Sequence, residues 1–253
     1  MIGVLDLTAV LCGPMAGLEG AEFIPAVRSD RELGPAAVYA LRAVEALCQK
    51  RPELQLETLP FCCVSGHPGA PVSAFEKAWH LANGGPLIGP GFAETRYRRI
   101  HPFTLLTSLY NQVPAALSSK LGMTGPCHNV FEGGGNWSSL LALFRTWAQP
   151  QCLLVLSSAN QREEEAVRNA ALWPNAQPLE GAIAILLDAQ APFQILPNLD
   201  LPADKAERAF RNPVLDLALQ LVTAFQTKQS HGRLVSWNER GVPFSLLYKR
   251  LVS

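Results

Sequence analysis

The chain has 253 residues, 48% of them hydrophobic, enough to bury a full core as one domain or as one domain and a remnant. Its 21 Lys and Arg are matched by 21 Asp and Glu, which excludes the cationic surplus that a standing nucleic-acid partner requires. No apolar run approaches the ~18 residues of a membrane span, and the opening MIGVLDLTAVLCG lacks a basic flank and is interrupted by Asp6, unlike a signal peptide.

In chain order, the apolar run Ile2–Leu11 predicts a strand, Leu33–Gln49 a helix, Phe61–Ser65 a strand and Val72–Ala82 a helix. Phe103–Leu121 follows as a helix, Pro126–Glu132 as a strand, and Asn136–Ala148 as a helix apolar at nearly every turn, expected to be the buried central one. Gln151–Ser157 and Gly181–Asp188 are apolar on both faces, as strands between helix layers are. The prolines from Pro192 to Asp204 read as a linker. Beyond it come a helix at Ala203–Gln226 and two short runs, Arg233–Trp237 and Val242–Leu251. Such alternation predicts a layered α/β fold.

Between the Pro126–Glu132 strand and the helix that follows stand Gly133, Gly134 and Gly135, then Asn136. A strand-to-helix elbow is where many enzymes hold a nucleophile, beside the unpaired N–H groups of a helix start, but glycines supply no side chain. A phosphate cradle is a poor alternative, because Glu132 precedes the glycines and the G-x-x-x-x-G-K-[ST] spacing is absent. Cys127 with His128 would make a nucleophile and base only if both faced one side, whereas neighbours on a strand face opposite ways; a buried position is expected for Cys127. Ser138 and Ser139 open the next helix, where capping or packing is their ordinary use. The six cysteines lie mostly within apolar runs without C-x-x-C spacing, as small core residues of a reducing, cytoplasmic compartment. No histidine stands at metal-ligand spacing from a carboxylate or cysteine, so neither metal nor cofactor is expected.

Ile100-His101-Pro102-Phe103, Asn111, Leu121-Gly122-Met123-Thr124-Gly125-Pro126 and Pro178-Leu179-Glu180-Gly181-Ala182 together resemble the active-site half of the β-ketoacyl synthases. The likeness is strongest over 99–188. It implies a thiolase-like αβαβα fold with the N-terminal half complete (1–192) and the C-terminal half reduced to a remnant (193–253) packed on the same core. It also places the family's reactive cysteine at Gly134, and it leaves no room for the second half that carries two catalytic histidines.

A chain with that scaffold and no nucleophile resembles the chain length factors, silent relatives that pair with a catalytic β-ketoacyl synthase and set product length; its brevity resembles the short subunits of aryl polyene pathways. The resemblance implies that Thr104, Leu105, Ser108, Leu109, Asn111 and Gln112 line the subunit interface or the partner's acyl tunnel. Val130, Phe131 and Glu132 then form the contact strand, and an acyl carrier protein is met through the complex. The basic cluster Arg96-Tyr97-Arg98-Arg99 is either a solvated approach to the helix or a docking patch for such an acidic carrier. A different class stays open: a free-standing acyl-transfer or thioester-hydrolysing enzyme using Cys127 or Ser138. A purely structural stabiliser is a third reading.

Overall fold

The computed structural model describes residues 2–12, 21–25, 33–66, 109, 111–131, 144, 150–159, 179–198, 213–237 and 243–251. Its elements are β1 (Ile2–Cys12), β2 (Ala21–Ile24), α1 (Pro35–Lys50), β3 (Phe61–Ser65), α2 (Gln112–Leu121), β4 (Cys127–Phe131), β5 (Gln151–Ser158), β6 (Gly181–Asp188), β7 (Phe193–Asn198), α3 (Pro213–Gln226), β8 (His231–Trp237) and β9 (Pro243–Arg250). Nine strands among the described residues form one sheet in the order β4-β3-β5-β6-β1-β7-β9-β8, with β2 parallel to the end of β1.

β5 and β6 are buried along almost their whole length. On one side α1 lays Tyr39, Ala43, Val44 and Leu47 against the sheet, with Val113, Ala116 and Leu117 of α2 beside them. The apolar stripe of α1 recurs at helical spacing and Pro35 opens its first turn, where the missing N–H is no loss. Gly34 precedes it without a side-chain cap. Instead, the buried Gln112 amide oxygen accepts the Gly34 N–H at 2.6 Å, joining the starts of α1 and α2. Gln112→Ala should therefore lower stability by about 1–3 kcal/mol through one unmet buried donor, a fall in Tm of several degrees that thermal denaturation would read; an unchanged Tm would refute the link.

The other side holds α3, whose buried residues Val214, Leu215, Leu217, Ala218, Leu219, Leu221, Val222 and Ala224 go right round the helix. A helix apolar on every side must be enclosed. Within one turn, Val214 lies against Gly66 at the end of β3 while Asp216 accepts from the Ser236 hydroxyl of β8 at 2.5 Å. Those strands stand six places apart in the sheet, about 29 Å if it were flat, against a helix only ~10 Å across. The sheet therefore curls round α3. Its first half, β4-β3-β5-β6-β1, faces its second, β7-β9-β8, across the helix, giving successive layers of helices, sheet, helix and sheet.

The second half is fastened to the end of α3. Arg250 donates to the Phe225 carbonyl at 2.9 Å and lies over the Phe193 and Phe225 rings, 5.2 and 5.6 Å from their centroids. The Gln220 side chain donates to the Val235 carbonyl at 2.8 Å and accepts from its N–H at 3.2 Å. Because Arg250 N–H bonds Ser230 O, even-numbered residues of this stretch point to β9 and Val235 points outward; Gln220 thus occupies the outer edge of β8.

The described structure departs from the sequence reading at several points. Helix α2 starts at Gln112 rather than Phe103: Leu109 and Asn111 are not helical, and Pro114 falls in the first turn, where a proline is tolerated. The stretch read as a linker holds β7, and β2 was not foreseen. Phe144 is helical and buried, but the rest of Asn136–Ala148 lies outside the described residues, as do Val72–Ala82 and 203–212. Among the described helices, α3 is the one enclosed on all sides.

Candidate functional site

The motif Leu121–Pro126 sets the position of β4. Gly122 ends α2 in the left-handed conformation, φ 69°, that a side chain disfavours. The N–H groups of Thr124 and Gly125 both reach the Glu57 carbonyl, at 2.8 and 3.0 Å, and Gly125 passes so near the Leu59 backbone that a Cβ would stand 2.3 Å from its carbonyl oxygen. The chain is thereby delivered alongside β3, where Phe61 N–H bonds Pro126 O at 2.9 Å and the parallel ladder runs from Phe61↔Cys127 to Ser65↔Phe131.

Among the described residues that geometry makes β4 the outermost strand at its end of the sheet. Since Pro126 points its carbonyl at β3, the alternation of a parallel ladder turns the backbone N–H and C=O of Cys127, two residues before and after which the pattern repeats, away from β3 and toward the open edge. Its side chains are mixed: Cys127 and His128 are exposed, Asn129 and Val130 half-buried. Val130 packs on the α3 side of the sheet and the Ser65 hydroxyl bonds Asn129 Oδ1 at 2.9 Å on the other. The strand leads directly to Glu132 and the glycines.

Of the residues singled out from the sequence, Leu109, Asn111, Gln112, Cys127, His128, Val130 and Phe131 are described. Leu109 is 45% exposed just before α2, near the end at which β4 finishes; Asn111 is exposed and Gln112 holds Gly34. Thr104, Leu105, Ser108, Glu132, Gly133, Gly134, Gly135, Asn136 and Ser138 lie outside the described residues, as does Arg96–Arg99. Glu180 went unassigned in the sequence reading. Its carbonyl bonds Cys12 N–H at 2.9 Å at the end of the sheet where β3, β4 and β5 finish. Burial pushes its carboxyl up, and the Tyr39 hydroxyl opposes part of that rise. Only the P-L-E-G-A motif could have signalled it.

Cys127 corrects the expectation of a buried thiol: it is exposed, because β4 is an edge strand. The buried Cys63 thiol donates to it, which holds Cys127 below the ordinary thiol range while Cys63 is pushed well up by burial. Burial raises Cys62 and Cys152 to about 12. Cys127 should accordingly be alkylated first by a maleimide and keep its reactivity further toward neutral pH than a free thiol. Cys63→Val should move that pH profile upward by removing the donor. Peptide mapping showing Cys62 or Cys152 modified first, or a profile unmoved by Cys63→Val, would contradict this. His128 adjoins Cys127 from the opposite face of the strand and is not placed to take its proton.

Layered helices and curled sheet match the fold of the thiolase-like ketosynthases. The chain superposes on one chain of the complex of the ketosynthase ApeO with its chain length factor ApeC from Xenorhabdus doucetiae with a TM-score of 0.61 and 13% identity, over 98% of this chain and 99% of that one. The ishigamide ketosynthase/chain length factor gives a TM-score of 0.55 at 12% identity, over 90% and 83% of the two chains. AntDE:AntF, a type II acyl-carrier protein in complex with its ketosynthase bound to the hexaketide, gives 0.58 at 9%, over 88% and 85%. No protein-family model and no curated protein sequence matches the chain. Among the described residues no helix is long and apolar enough to cross a membrane.

Proposed function

We propose that the chain is a non-catalytic, ketosynthase-like subunit, a chain length factor, that pairs in the cytoplasm with an active β-ketoacyl synthase. It shapes that partner's acyl pocket during polyene, polyketide or fatty-acid-like elongation. The observation that carries the reading is the strand order: among the described residues the strand that precedes Gly133–Gly135 is the outermost of a large sheet, an edge on which a second chain could pair. Gly134 at the position of the family's cysteine leaves no group to hold an acyl chain. Likeness in fold to structures of ketosynthase–chain length factor complexes supports the pairing, and the nearly end-to-end match with one chain of the ApeO–ApeC complex supports a role for so short a subunit.

On this reading Thr104, Leu105, Ser108, Leu109 and Asn111 wall the partner's tunnel. Gln112 braces the helix beside them through Gly34, Val130, Phe131 and Glu132 form the contact strand, and an acyl carrier protein is met by the complex. The test is co-expression with a full-length ketosynthase, loading with a labelled acyl thioester, and product analysis. A defined heterodimer labelled only on the ketosynthase is expected. Thr104→Trp should shorten the products, since overpacking by about 1–3 kcal/mol slows the last elongation roughly 5- to 150-fold. A monomer with no affinity for the ketosynthase, or an unaltered product distribution, would defeat the proposal.

One observation favours a second reading, a thioester-processing enzyme with a relocated nucleophile: the exposed thiol of Cys127 is activated by Cys63. Thioester turnover by the chain alone, abolished by Cys127→Ala, would establish it in place of the first.

A further inference from the structure

All six cysteines of the chain are described, and all are free thiols. Two pairs of them stand in the same relation to β3. Phe61 lies opposite Cys127 and Cys63 opposite Asn129, so Cys63 and Cys127 share a face of the sheet as diagonal neighbours on β3 and β4. On the other face Cys62 lies opposite Leu154, which makes Cys152 of β5 its diagonal neighbour. What separates the pairs is access. Cys62 and Cys152 are both buried, and burial pushes both thiols up to about 12, so neither is a thiolate near neutral pH. In the other pair Cys63 is buried but Cys127 is exposed, and the Cys63 thiol donates to the Cys127 sulfur.

Ordinary sheet spacing sets the diagonal Cα separation at about 8 Å, whereas a relaxed disulfide spans about 4.4–6.8 Å. A bond between Cys63 and Cys127 therefore requires Cys127 to be drawn along β3. Cys127 is the first residue of β4, and its backbone N–H and C=O face away from β3, so it can shift without giving up a ladder bond of its own to that strand. A bridge closed by such a shift is strained and reopens readily in the presence of a thiol. That suits a reducing compartment, where disulfides are transient rather than structural.

We propose that Cys63 and Cys127 form a thiol–disulfide exchange site that takes a low-molecular-weight disulfide of the glutathione class and closes a reversible bridge between β3 and β4. The Cys127 thiolate, its proton lost to water, attacks one sulfur of glutathione disulfide. That S–S bond breaks, and one glutathione leaves as a thiolate that water reprotonates. Cys63 Sγ then attacks the Cys127 sulfur of the mixed disulfide; the bond to glutathione breaks, and the proton of Cys63 passes to the departing thiolate. Both cysteines are oxidised, and the glutathione disulfide is reduced to its thiols. The first step is the faster, because burial keeps Cys63 protonated. The site rests on neither reading of the chain's function, since it needs only the two thiols and the register that joins their strands.

The probe is glutathione disulfide, added to the full, reduced chain near neutral pH and followed by intact mass. A single glutathione adduct should appear first. It should then give way to a species lighter than the reduced chain by a pair of hydrogens, in which peptide mapping joins Cys63 to Cys127, and reduced glutathione should restore the thiols. Cys127→Ser should lose both adduct and bridge. Cys63→Val should take up glutathione on Cys127 more slowly, for want of the donor, and then hold the adduct unresolved; Cys63→Ala serves if valine shifts the thermal melt. An adduct on the parent chain as persistent as that on the Cys63 variants would overturn the proposal. So would a bridge or adduct formed first at any other cysteine, or a Cys127 that does not react.

Discussion

Gly181→Val should remove a large share of the stability of the folded chain. Gly181 opens β6 opposite Leu11 with φ at 150°, a backbone conformation side chains rarely adopt. A Cβ there would stand 2.3 Å from the Val10 carbonyl oxygen and 2.9 Å from the Leu11 Cα. Both obstacles are backbone, and they belong to β1, which pairs with β6 from Leu11↔Gly181 to Gly3↔Asp188 and so cannot retreat at one point without opening that ladder. Backbone strain of about 1–3 kcal/mol and overpacking of about 1–3 kcal/mol fall together on a fold whose total stability is of the order of 5–15 kcal/mol. Denaturant titration should show the midpoint falling sharply, with much of the expressed protein insoluble. A variant within about 1 kcal/mol of the parent would mean that β1 and β6 yield more easily than their register implies.

Cys127→Pro should uncouple the proposed heterodimer while leaving the chain folded. Proline is tolerated at the first residue of a strand, and the N–H it removes faces away from β3, so the ladder with Phe61 survives. A strand laid along the outer edge would lose that donor and meet the pyrrolidine ring. One unmet hydrogen bond costs about 1–3 kcal/mol, or roughly 5- to 150-fold in affinity. Cys127→Ala, which keeps the N–H and removes the thiol, is the control and should pair normally. Equal pairing by both variants would exclude β4 as the contact strand; equal loss by both would assign the contact to the thiol.

What could be read from the sequence follows from how each residue is constrained. β3 and β6 were legible to the residue, since both faces are apolar and Pro60, Gly66 and Glu180 mark three of their four ends. β2 was not, because Ala21, Glu22 and Phe23 are half-buried or exposed and leave no alternation to detect. β7 was hidden by Pro197 within it and Pro192 just before it. Pro197 sits in a strand between two others, yet β1 pairs only with Phe193–Ile195, so the side of β7 on which Pro197 lacks an N–H is past the end of β1. The exposure of Cys127 depends on strand order, which no local pattern encodes. Of the candidate site, the glycines and the motifs that deliver β4 were evident; Glu180, the Cys63–Cys127 contact and the task of Gln112 arise only from residues distant in sequence.

The clasp of Gln220 on Val235 also bears on how many chains can join. A sheet with two bare margins could add strands at either end and continue without limit, as fibres do. Here one side-chain amide takes up both backbone groups of Val235, in the place an added strand would need. Among the described residues that outer side of β8 is therefore taken, whereas β4 turns backbone groups toward an open margin.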